Sequence, residues 1–328
     1  MASTRCYREG ALADEDFPLE RVSDLIREEG ALVWIDLAGA EVARLPEVAD
    51  ELGLHELAVE DATSKRQRPK FTRFEGHDFV TAYAVSLDSR TGILTTHQVS
   101  AFVTPRALVT VHADGAPPGR PGLLQELLAR WDEQADLTRY GVGALLHGLL
   151  DVVVDGHFEA VESLDDQIEQ LEDLVFDDRP RDRDVQRRSF ELRKSLVRLR
   201  RVVLPMREVV NTALRRDIGL APSELAPYFQ DVYDHVLRAA EWTESLRDLV
   251  ATIVETNLTI QGNRLNVITK KVTSWAAIIA VPTAITGYYG QNLPYPGFAQ
   301  HWGFAMSSSL IVAISLGLYW MFRRNDWL

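Results

Sequence analysis

The sequence predicts an α+β membrane protein with an N-terminal cytoplasmic α/β domain, a helical layer, and a long stalk helix continuous with the first of two C-terminal transmembrane helices. Three observations predict it. Val272 to Phe322 runs for about fifty residues without Asp, Glu, Lys or Arg, in a chain of 328 residues of which 25% are charged; such a gap belongs in lipid. Residues 1–122 mix strand and helix signals, whereas almost everything after them is helical. Helical periodicity from about Ser223 does not stop before the apolar stretch.

In the first domain, Ala31 to Leu37 is a short apolar run typical of a buried strand, and His77 to Leu87 continues the pattern with Phe79, Val80, Tyr83 and Val85. Thr96–Thr104 and Ala107–His112 flank Pro105-Arg106 and predict a hairpin; Leu45–Leu57 reads as one helix. Ala113–Gly122 is a loop by its glycines and prolines.

Residues 123–222 form the helical layer. Phe158, Val161, Leu164, Ile168, Leu171 and Val175 recur at three- and four-residue steps, a coiled-coil-like seam beside a face dense in Asp and Glu. Arg179-Pro180 breaks this helix, and Val185–Val210 returns as a basic one, giving an antiparallel pair of opposite charge. Exposed charge runs are usually solvated faces, so salt bridging explains the acids more simply than cation concentration.

The stalk occupies 223–271, with Ser223 as its N-cap, and the first span 272–290. If continuous to Tyr289 the helix is about 60 residues and ~90 Å long. Glycines and prolines in Tyr289–Gly297 mark an external loop, 291–301, before the second span, 302–322, and a basic tail, 323–328. Arg264, Lys270 and Lys271 precede the spans and Arg323 and Arg324 follow them, so the positive-inside rule puts both termini in the cytoplasm of a multi-pass cytoplasmic-membrane protein. Tyr288, Tyr289, Tyr295 and Trp302 form one interfacial belt, and Trp275, Trp320 and Trp327 suit the other.

Composition excludes several functions. Met1–Gly10 carries no apolar core of signal-peptide length, so export of the body is not expected. Cys6 is the single cysteine, which leaves no thiolate cluster for a metal. A net charge of −13 disfavours nucleic acid and favours cations. No phosphate loop or nucleotide fingerprint is present, no motif suggests a catalytic site, and no Asp, Glu, Lys, Arg or His lies in the spans to relay protons.

One face of the first span is distinctive. Gly262, Asn266, Thr269, Thr273, Ala276, Ala280, Thr283, Gly287 and Gly290 follow at three- and four-residue steps, every one small or polar. Tight packing explains Gly and Ala; a pore explains Asn266 and the threonines as well. Oxygens at the axis of an oligomer would hold a cation through its water shell, which suits Mg2+.

Tyr289-Gly290-Gln291-Asn292 resembles the Gly-Met-Asn signature of the CorA family of divalent-cation channels, with Gln for Met. His55-Glu-Leu-Ala-Val-Glu-Asp61 followed by Gln67-Arg68-Pro69-Lys70, Pro227–His235, and the Asp326-Trp327-Leu328 tail also resemble family segments. The resemblance implies a funnel-shaped homopentamer in membrane lipid, a selectivity filter at Tyr289, Gly290, Gln291 and Asn292, and pore or gate positions at Asn266, Val272, Ala280 and Thr283. It implies regulatory Mg2+ between subunits at Asp61 and Asp231, which would close the channel. Gln291, an external loop without acids, and the small Ala280 depart from the magnesium-transporting pattern. Co2+, Ni2+ and Zn2+ therefore stand beside Mg2+ as cargo, and a non-conducting scaffold or sensor is the alternative of another class.

Overall fold

A computed structural model describes residues 2–64, 67–88, 90–113, 122–177, 182–291, 294 and 297–328. Most of the loop expected at Ala113–Gly122, the break at Arg179-Pro180, and Asn292, Leu293, Tyr295 and Pro296 of the external loop lie outside the described residues. The chain divides into two compact units, Met1–Ile253 and Val254–Leu328.

The first unit is built on a seven-stranded mixed sheet: β1 (Ser3–Arg8), β2 (Ala11–Glu15), β3 (Ala31–Ala38), β4 (Lys70–Arg73), β5 (Asp78–Asp88), β6 (Ile93–Val103) and β7 (Ala107–His112). Their spatial order is β2-β1-β3-β7-β6-β5-β4. Only β3 and β7 pair in parallel; every other pairing is antiparallel. The run Ala31–Leu37 is apolar without alternation because both faces of β3 are covered. Leu32 and Trp34 point into one core, while Val33, Ile35 and Leu37 point into the other.

The second of these cores is closed by α1 (Val22–Arg27), α2 (Leu45–Leu52) and α3 (Glu56–Thr63). The single helix expected over Leu45–Leu57 is thus two helices. Gly53 ends α2 in the left-handed conformation at φ 67°, and His55 caps α3 by accepting the Leu57 N–H on Nδ1 at 3.1 Å. Helical periodicity alone cannot register a stop that depends on the free φ of glycine.

The first core is covered by α4 (Leu123–Glu133), α5 (Val142–Phe176), α6 (Asp182–Ala213) and the start of α7 (Ala226–Tyr289). Trp131 of α4 packs edge-on against Trp34, with ring centroids 4.8 Å apart. Gly148 of α5 lets it in, since a Cβ there would lie 2.4 Å from the indole nitrogen. The expected seam of α5 is buried at Val161, Leu164, Ile168, Leu171 and Val175. Phe158 instead lies half-buried, edge-on to Trp242 at 5.4 Å, and His157 takes its place in the core. Helix α7 begins at Ala226 rather than after Ser223, whose hydroxyl donates to Glu224 at 2.8 Å.

The second unit holds α7 beyond Ile253 and α8 (His301–Arg324). Helix α8 alone, with mean hydropathy 1.6, is long and apolar enough to cross a membrane among the described residues. The first expected span falls short by the same measure. Its glycine, threonines, serine and tyrosines, together with Pro282, dilute its apolar content; three of these, Thr273, Thr283 and Gly287, belong to the small and polar stripe.

Candidate functional site

The α7 and α8 segments of the second unit meet along matched faces. Ser274 is buried, and Ile278, Val281, Ile285 and Tyr289 are half-buried on α7. On α8 the covered positions are Gly303, Ser307, Ile311, Ser315 and Leu318. Trp275 and Tyr319 approach to 6.5 Å between ring centroids, and Ile285, Tyr289, Gly303, Ser307 and Ile311 line a cavity of about 520 Å³. Gly303 is tight against Gly297, because a Cβ would come within 2.3 Å of the Gly297 carbonyl oxygen.

At 3.6 residues per turn the small and polar stripe falls on the far side of α7 from this contact. Gly262, Asn266, Thr269, Thr273, Ala276, Ala280, Thr283, Gly287 and Gly290 are all exposed, as is Val272. Packing against α8 therefore does not account for the stripe. Thr283 turns its hydroxyl back to the Ile279 carbonyl at 3.0 Å. Beside the stripe runs an exposed apolar seam of Val254, Leu258, Leu265, Ile268, Val272 and Ile279, spaced by threes, fours and sevens. Helix α7 ends at Tyr289, where Gly290 donates its N–H to Thr286 at 2.8 Å and Gln291 to Tyr288 at 3.3 Å. Asn292 lies outside the described residues.

The two predicted regulatory acids have different surroundings. Asp61 sits in the last turn of α3, a helix anchored by His55, whose ring stacks on Phe74 at 4.6 Å. Both of its carboxylate oxygens are engaged within the chain: Gln67 Nε2 donates to Oδ1 at 2.8 Å, and Lys70 Nζ to Oδ2 at 2.5 Å. The Gln67 carbonyl accepts from the Tyr83 hydroxyl at 2.5 Å, and Gln98 donates to the Asp61 carbonyl at 3.3 Å. Helix α3 is thereby tied to the sheet edge on both sides of the acid.

Asp231 is exposed near the start of α7. One turn further along, His235 Nδ1 lies 3.9 Å from Asp155 of α5. The Arg130 guanidinium, from α4, forks between Asp155 at 2.6 Å and Asp151. Burial raises the Asp151 carboxyl above its ordinary range against the pull of Arg130. Close by, His147 is buried and held down to about 4 by desolvation first and by Arg130 second. Among the described residues no group of three or more His, Cys, Asp or Glu is placed to hold a metal. Asp61 and Asp231 are not brought together into such a group, and each offers hard oxygen, which suits Mg2+.

Lys70, Gln67, Arg130, Asp151, Asp155 and His235 carry no role in the sequence reading. Lys70 and Gln67 stand inside a quoted motif, but pairing across nine residues has no local signature. Asp151 and Asp155 are four apart on one helical face, which is the one signal available for that cluster.

Comparison with known proteins shows the family and the fold. The family model described as "CorA-like Mg2+ transporter protein" matches residues 29–324. The cobalt/magnesium transport protein CorA of Thermotoga maritima is 30% identical over 313 residues, covering 92% of this chain and 85% of that one. The zinc transport protein ZntB of Yersinia enterocolitica is 24% identical over 278 residues, covering 84% of this chain and 81% of that one. The complete structure of the CorA magnesium transporter from Methanocaldococcus jannaschii superposes with a TM-score of 0.78 at 22% identity, covering 100% of this chain and 99% of that one, a shared fold.

Proposed function

The chain belongs to the CorA-like Mg2+ transporter family, and we propose that it conducts Mg2+ across the cytoplasmic membrane as a homopentameric channel driven by the membrane potential. Two spans cross the bilayer, 272–290 and 302–322, with both termini in the cytoplasm, and five α7 helices surround the axis. The observation that carries this reading is the exposed stripe on α7, turned away from α8 and edged by a heptad-spaced apolar seam. A seam of that spacing suits packing against a neighbouring copy, which would leave Asn266, Thr273, Ala276, Ala280, Thr283 and Gly287 facing the axis.

In this arrangement Tyr289, Gly290, Gln291 and Asn292 form the outer filter, and the Asn292 side-chain carbonyl meets the hydrated ion. Mg2+ keeps much of its water, so side-chain oxygens at Thr283, Thr273 and Asn266 bind it through that shell. Val272, next to Thr273 of the stripe, is the one seam residue that also reaches the axis, where it supplies an apolar ring that stops conduction by excluding water. At 100 mV, inside negative, the potential contributes about 4.6 kcal/mol to the entry of each divalent ion. Asp61 of one subunit and Asp231 of the next bind regulatory Mg2+. Two carboxylates facing across an interface repel unless a cation neutralises them, so loss of Mg2+ loosens the closed state.

Liposomes loaded with a magnesium dye and held at an inside-negative potential test the reading. Uptake is expected in wild type and lost in Asn292→Ala. Uptake of Co2+ alongside Mg2+ fits the name of the Thermotoga relative, uptake of Ni2+ would widen the cargo, and uptake of Zn2+ alone would move the assignment to a zinc transporter. No uptake of any of these ions would leave the scaffold alternative.

A further inference from the structure

We propose that Lys70 is a resident counter-cation that competes with the divalent ion for Asp61 and so sets the Mg2+ concentration at which the regulatory site fills. The inference rests on the reading of Asp61 as a regulatory ligand and adds a residue to it. A carboxylate that takes part in divalent binding has to present free lone pairs. Each oxygen of Asp61 already accepts one donor of its own chain: Lys70 Nζ stands 2.5 Å from Oδ2, and Gln67 Nε2 stands 2.8 Å from Oδ1. The pair is only partly open to water, with side chains 34% and 25% exposed.

The geometry makes the ammonium a fixed occupant. Lys70 opens the edge strand β4, directly after the buried Pro69, and is registered against Thr81 of β5. Its backbone is therefore set by the sheet, while Asp61 is set by α3 and by the bond from Gln98 to its carbonyl. Gln67 is set by Tyr83. Three independent tethers hold the acid and its two donors together without a metal. An incoming divalent ion brings two positive charges next to a third, and the repulsion is relieved when the lysine withdraws along its flexible stem. Lys70 thus lowers the affinity of Asp61 for Mg2+ and supplies the neutralising charge when Mg2+ leaves, keeping α3 in place in both states.

The experiment follows Mg2+-dependent protection of the full-length protein from chymotrypsin, whose specificity these substitutions leave alone. Lys70→Gln is expected to lower the Mg2+ midpoint by about threefold or more, since the competing charge is gone. Lys70→Arg is expected to raise it, because the guanidinium fork engages a carboxylate through two bonds. A midpoint unchanged or raised in Lys70→Gln, or lowered in Lys70→Arg, overturns the proposal. Lys70→Arg keeps the ion pair, so the test survives if Lys70→Gln folds poorly. Asp61→Asn, run in parallel, is expected to abolish the protection; wild-type protection in that variant would instead overturn the regulatory reading of Asp61 itself.

Discussion

Acidification is expected to weaken the N-terminal unit through His157. This residue is fully buried on α5, its Nε2 hydrogen-bonded to the Tyr83 carbonyl at 2.7 Å, and its Nδ1 has no partner among the described residues. A neutral ring with the proton on Nε2 satisfies that geometry, and burial holds the pKa down to about 4 from the ordinary 6.5. A depressed folded pKa means that the unfolded chain binds the proton first. The stability is therefore complete above about pH 6.5 and is lost progressively as pH falls toward 4. Between about pH 7.5 and pH 5 the linkage amounts to about 2 kcal/mol. His147, also held down to about 4, contributes a similar amount over the same interval. Urea denaturation of the detergent-solubilised full chain, followed by tryptophan fluorescence, measures the loss at both pH values. His157→Gln keeps a donor near Tyr83 and cannot titrate, so it should remove about 2 kcal/mol of the pH-dependent loss. A variant that retains the whole loss would refute the argument that burial of this ring carries it.

Other substitutions probe different parts of the molecule. Gly143→Ala puts a Cβ at 1.8 Å from the Leu220 carbonyl oxygen, so α5 or the segment after α6 has to move, and thermal denaturation should show a loss of about 1–3 kcal/mol or more. Arg130→Gln strands the buried Asp151; the loss should be about 2 kcal/mol, below that for a fully buried pair because Arg130 is 27% exposed, and Asp151→Asn in the same chain should recover most of it. Asp231→Lys should abolish Mg2+-dependent protease protection, and unchanged protection there would exclude Asp231 from the sensor.

What the sequence made legible follows from the range of the forces involved. The buried strands β3, β5 and β7, the α5–α6 pair and the unbroken course of α7 all depend on local apolar periodicity, which the residues carry openly. The short strands β1, β2 and β4 do not: each has only four to six residues, too few to carry a period, and β2 and β4 lie at the two edges of the sheet. The break at Gly53 depends on one backbone angle, and the start of α7 on packing at Leu225 and Phe229 rather than on Ser223. For the candidate site, the stripe was legible as a pattern and its exposure opposite α8 was not, since a pattern does not say what covers it. The Asp61–Lys70 and Arg130–Asp155 pairs are tertiary contacts between polar residues, and nothing in their spacing distinguishes them from the other charged surface positions.

The core of the N-terminal unit is completed by Phe229, Val232 and Val236, residues of the helix that continues into the second unit. During synthesis, which delivers the N-terminal strands and α4 to α6 first, this core stays incomplete until these residues leave the ribosome. By then the apolar stretch is next in line. Maturation of the soluble part and delivery of the chain to the bilayer are therefore successive events on one helix, so a delay in membrane targeting would hold back a body whose last core residues have only just arrived.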